Sequence, residues 1–75
     1  MLKIGIYINQ SKTGLVIETA YPLQFELRNC AGKLIVTGNK LLQPLVTINI
    51  KRLASGTYTL TIYIEGQTVF KTIEL

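Results

Sequence analysis

Few side chains in this sequence are reactive, and their types limit the chemistry it can carry. The 75 residues hold four glutamates (Glu18, Glu26, Glu65, Glu74) and one cysteine, Cys30, with neither histidine nor aspartate. A Ser-His-Asp or Cys-His arrangement therefore lacks the base that activates its nucleophile. A tight zinc site wants several histidine or cysteine ligands, which one cysteine cannot supply. Two glutamates could in principle act as an acid and base pair across a glycosidic bond. Here all four fall at outward positions of alternating segments or in turns, where a solvated carboxylate is the simpler reading. Cys30 has no partner for an internal disulfide. Nothing beside it in sequence marks a reactive thiol, so it reads as a small turn residue. No glycine-rich loop opens a helix to hold phosphate, because no helix is predicted. The expectation is a non-enzyme with no cofactor and no metal.

Binding chemistry is also thinly spread. The cations are Lys3, Lys12, Arg28, Lys33, Lys40, Lys51, Arg52 and Lys71, for a net charge of +4. They scatter along the chain with one adjacent pair, whereas nucleic-acid binding needs a basic stripe. No nucleic-acid partner is expected. Lysines near strand ends also discourage edge-to-edge pairing. Thr57, Thr59 and Thr61 repeat like the rows of flat ligand-binding faces, but threonine is ordinary on exposed strands. Asn9-Gln10-Ser11 fits the glycosylation triplet, which matters only in a eukaryotic secretory route.

The elements that position these groups are strands. Hydrophobic residues make up 48% of the chain and charged ones 16%, which excludes a disordered tail. No apolar run reaches the roughly 18–20 residues of a membrane-spanning helix. The opening Met1-Leu2-Lys3-Ile4-Gly5 lacks the apolar core and cleavage site of a secretory signal. One domain over residues 1–75 is expected.

Strand signals recur roughly every 8–12 residues between turn residues, the all-β pattern. The first strand is predicted over Leu2–Ile8, with Leu2, Ile4, Ile6 and Ile8 on one face, and the second over Leu15–Thr19. The third, Leu23–Asn29, points Leu23, Phe25 and Leu27 inward and ends in an Asn29-Cys30-Ala31-Gly32 turn. The fourth is Lys33–Thr37, of open parity because Leu34, Ile35 and Val36 are consecutive. Gly38-Asn39-Lys40 then begins a longer connection to Pro44. The fifth is Leu45–Ile50. The sixth, Thr57–Ile64, alternates throughout, with Tyr58, Leu60, Ile62 and Ile64 inward and Thr57, Thr59, Thr61 and Tyr63 outward. Glu65-Gly66 is a two-residue hairpin loop into a seventh strand, Gln67–Leu75. Seven strands with one apolar face each need a second sheet to cover them. The predicted fold is an all-β, immunoglobulin-like antiparallel β-sandwich.

Leu53-Ala54-Ser55-Gly56-Thr57-Tyr58 carries the topology. Leu-x-x-Gly-x-Tyr entering a strand is the layout of a tyrosine corner, in which the ring joins the core and its hydroxyl reaches back to upstream backbone. Leu53, Gly56 and Tyr58 are its structural residues.

These same segments resemble a known family. Phe25-Glu26-Leu27-Arg28-Asn29-Cys30-Ala31-Gly32-Lys33-Leu34-Ile35 resembles the middle motif of C-terminal sorting domains of the Bacteroidetes type IX secretion system. Leu53 to Ile62 resembles the last motif of that family, followed by a glycine hairpin at Gly66 and a basic strand with Lys71. Tyr7 to Gly14 keeps the tyrosine, asparagine and glycine of the family's opening turn without its prolines, and the chain ends Thr72-Ile73-Glu74-Leu75 rather than in a lysine-rich tail. Small secreted Bacteroidetes β-sandwich domains look closely similar.

The resemblance implies a non-catalytic address: a folded signal, read by an outer-membrane translocon, that sends a fused cargo to the cell surface. Glu65, Gly66, Gln67 and Lys71 are the recognition positions it implies. The protein would then be secreted or surface-bound, passing through the periplasm. The competing reading is a small immunoglobulin-like binding, adhesion or stalk domain.

Overall fold

The computed structural model describes residues 3–75. Its strands are β1 (Gly5–Ile8), β2 (Gly14–Glu18), β3 (Leu23–Asn29), β4 (Leu34–Lys40), β5 (Leu45–Asn49), β6 (Thr57–Ile64) and β7 (Gln67–Glu74). They form a three-stranded sheet of order β1-β2-β5 and a four-stranded sheet of order β4-β3-β6-β7. Every pairing is antiparallel. Relative to the constant-type immunoglobulin order, the fourth strand lies beside the third instead of joining the first sheet.

The alternating segments dictate this packing. Leu15, Ile17 and Ile48 from the first sheet meet Phe25, Leu27, Leu60 and Ile62 from the second in one buried cluster. A central strand of each sheet, β2 and β6, also buries an outward residue. Val16 is shaded between Tyr7 and Thr47, and Thr61 between Glu26 and Phe70. Thr61, expected to face solvent, is only 6% exposed for that reason.

Three expectations change. The first strand starts at Gly5, with Ile4 before it and Leu2 outside the described residues. Ile4 and Ile6 are half-buried but Ile8 is exposed, because β1 is a short edge strand paired only with β2. The fourth strand runs on through Gly38-Asn39-Lys40, which pair with Phe25, Gln24 and Leu23. Gly38 is there for space: a Cβ would stand 2.8 Å from Cζ of the buried Phe25 ring. The open parity of β4 resolves as an irregularity in which Leu27 pairs with Val36 but Arg28 with Leu34, leaving Ile35 as the extra residue.

Two loops at one end of the sandwich share a hydrogen-bond scheme. Asn29 N–H donates to Lys33 O, and Gly32 N–H donates to Asn29 O, while Asn29 Oδ1 accepts from the N–H groups of Ala31 and Lys33. In the β1–β2 loop, Asn9 N–H donates to Gly14 O, Lys12 N–H to Asn9 O, and Asn9 Oδ1 accepts from Thr13 and Gly14 N–H. The fourth residue of each loop has positive φ, 82° at Gly32 and 59° at Lys12. An asparagine side chain that imitates backbone closes both turns.

Candidate functional site: the last hairpin and the tyrosine corner

The corner is built from the β5–β6 connection. Leu53 N–H donates to Ile50 O at 3.1 Å, making a tight turn, and the Leu53 side chain packs against the core. Tyr58 is buried, and its hydroxyl donates to Ala54 O at 2.7 Å. Gly56 sits at φ 149° with open space around it, so backbone conformation, not crowding, calls for glycine there. Gly56 also exchanges two hydrogen bonds with Leu75, at 3.0 and 2.9 Å. The corner therefore anchors the end of β7 as well as the start of β6. Tyr58→Phe removes one hydrogen bond to a part-buried carbonyl and is expected to cost about 1 kcal/mol. A urea melt unchanged from that of the parent would show that the hydroxyl contributes nothing.

At the opposite end, β6 turns into β7 through Glu65 and Gly66. Their φ values, 49° and 72°, are both positive, the mark of a type I′ turn that matches strand twist. Ile64 pairs with Gln67 across it. The turn projects Glu65, Gly66 and Gln67 together into solvent. Lys71 is elsewhere. It pairs with Leu60 in mid-strand, about 13 Å along β7 from Gln67 at strand rise. Because Leu60 faces the core, Lys71 lies on the inward side of an edge strand, with its side chain exposed. An inward-side charge on an edge strand opposes pairing with a foreign strand.

The outer face of the four-stranded sheet carries groups that alternation alone did not single out. Tyr63 donates its hydroxyl to Glu26 Oε1 at 3.2 Å, and Arg28 Nη2 lies 3.5 Å from the same oxygen. Arg28 Nη1 donates in turn to Gly32 O at 3.1 Å. Loss of solvent, then the Glu26 carboxylate, pushes the Tyr63 phenol above its ordinary pKa, with Arg28 opposing. Phe70, one residue before Lys71, is 69% exposed on this face. Under the corner, a recess of about 430 Å³ is lined by Ile8, Ile50, Leu53 and Leu75 with Asn9 and Lys12 at its edge. The Asn9 side chain is already committed to its own loop.

Among the described residues no helix is long and apolar enough to cross a membrane. No curated protein matches the sequence. The profile of the family described as "Secretion system C-terminal sorting domain" matches residues 5–74. That span begins with the first residue of β1 and closes with the last of β7, so it takes in both asparagine turns, the corner and the final hairpin. A match over nearly the whole sandwich places the chain in this family: it belongs to the C-terminal sorting domains of type IX secretion.

Proposed function

We propose that this domain carries a fused cargo across the outer membrane to the cell surface, and that the secretion machinery reads it at the last hairpin. The family match over the complete sandwich supports the reading, since a type IX sorting role comes with membership. Glu65, Gly66 and Gln67 form a compact exposed group on a turn of defined geometry. Lys71 belongs to the same strand but contributes from a separate position, as guard of the β7 edge. The family's role is that of a sorting signal, with no catalytic duty.

The test is a reporter bearing a signal peptide and followed by this domain, expressed in a bacterium with a working type IX system. Surface exposure of the reporter is expected, and retention in the periplasm would refute the proposal. Glu65→Asn separates reading from folding. Asparagine suits the first position of a type I′ turn better than glutamate does, so the variant should be more stable than the parent. If the carboxylate is read, delivery falls although stability rises. Delivery equal to the parent would remove Glu65 from the recognition surface.

A further inference from the structure

The four residues joining β4 to β5, with Lys40 before them, have inverted polarity. Lys40 is 0% exposed, while Leu41 and Leu42 are 62% and 83% exposed. Burying an ammonium is costly unless it is hydrogen-bonded, and two adjacent leucines in water contribute nothing to an isolated fold. The hydrogen bonds show how the arrangement is held. Lys40 Nζ donates to Leu41 O at 3.1 Å and to Gln43 O at 2.8 Å. Gln43 Oε1 accepts from Leu41 N–H at 3.0 Å, and Pro44 O accepts from Thr19 N–H at 3.1 Å. The loop is fastened to the sheet beneath and to the neighbouring β2–β3 loop, with its leucines outward. A surface fixed in advance loses little ordering entropy on docking.

The surroundings indicate the partner. Lys40 pairs with Leu23 and Leu23 with Ile64, so this loop lies at the same end as the Glu65-Gly66 turn. Tyr21 and Leu45 add exposed apolar surface there. Gln24, Asn39 and Tyr63 border a recess beside Leu41. An apolar centre with a polar rim is the anatomy of a protein interface. A lipid-reading loop would present cations to anionic headgroups. Here the Lys40 ammonium is turned inward, Lys3 shares a recess with Glu18, and Glu65 projects without an ion-pair partner among the described residues.

We infer that Leu41 and Leu42 are the apolar anchor with which the domain enters a hydrophobic pocket on a protein of the secretion machinery, a pocket whose rim is basic where it meets Glu65. The inference rests on the sorting function proposed above and adds the anchor and the chemistry of its receptor. The experiment compares the reporter fusion with its Leu41→Ser/Leu42→Ser variant. Both leucines are exposed, so the variant should melt as the parent does while surface reporter falls roughly tenfold or more. Glu65→Lys should be delivered worse than Glu65→Gln, because lysine meets a basic rim, and equal delivery of the two would overturn the basic rim.

Equal delivery of a folded double-serine variant overturns the anchor and leaves sorting intact. Failure of the parent fusion to reach the surface overturns both. Two arms with the purified domain address other occupants. Leucine-dependent sedimentation with phosphatidylcholine and phosphatidylglycerol vesicles would assign the loop to lipid and overturn the protein pocket. Leucine-dependent self-association in the ultracentrifuge would assign it to a second copy, with the same consequence.

Discussion

In urea, Leu60→Ala is expected to lose about 2–5 kcal/mol of stability. Leu60 is fully buried on β6, a central strand of the four-stranded sheet, and pairs with the equally buried Leu27 of β3. Truncation removes the transfer free energy of the lost carbons and leaves a cavity that two hydrogen-bonded sheets cannot close. A domain of this size has about 4–11 kcal/mol in all at the usual stability per residue. One substitution therefore uses a large part of the total, and the variant should show a measurable unfolded fraction near body temperature. A loss below about 1 kcal/mol would mean that the two sheets do not pack through Leu60.

Gly38→Val should be nearly as damaging by the opposite route. Its Cβ alone would stand 2.8 Å from Cζ and 3.1 Å from Cε2 of Phe25. The ring is buried, so relief requires either that it be forced off its rotamer against the core or that β4 move off β3. Overpacking of this kind costs about 1–3 kcal/mol. Phe25→Leu in the same chain opens space at the clash. The double variant should then be more stable than the sum of the two single losses implies. Strict additivity in chemical denaturation would show that the Gly38 contact with Phe25 is not the source of the effect.

Both variants concern places where reading the sequence went differently. β3 and β6 were legible because each alternates cleanly and ends on a turn whose chemistry is local, Asn29 to Gly32 and Glu65-Gly66, and β7 followed as the strand that must return from the second turn. β4 was not legible to its end. Gly38-Asn39-Lys40 has the composition of a turn, and only the Phe25 ring on the neighbouring strand explains the glycine. Lys40 to Pro44 reads only as a connection, and its buried ammonium and exposed leucines escape that reading because the carbonyls that hold the ammonium belong to the loop itself. Thr61 and Val16 follow strand parity in direction but not in exposure, since shading by neighbouring strands is a sheet property. Of the candidate site, the turn residues are grouped by their own sequence. The separation of Lys71 from them needed only the strand rise, while its place at an edge required the sheet order.

The pairing of β3 with β6 has a consequence in time. Leu23 meets Ile64 and Asn29 meets Tyr58, so the four-stranded sheet cannot zip until most of the chain is available. β2 likewise waits for β5. Sandwiches dominated by such distant contacts fold in milliseconds to seconds, far slower than a local hairpin forms. The Glu65-Gly66 turn can close early by itself, but the leucine loop is fixed only once Pro44 O accepts from Thr19 N–H, which waits for β5 to reach β2. The two halves of that end of the molecule are therefore expected to mature on different clocks, the hairpin first and the anchor last.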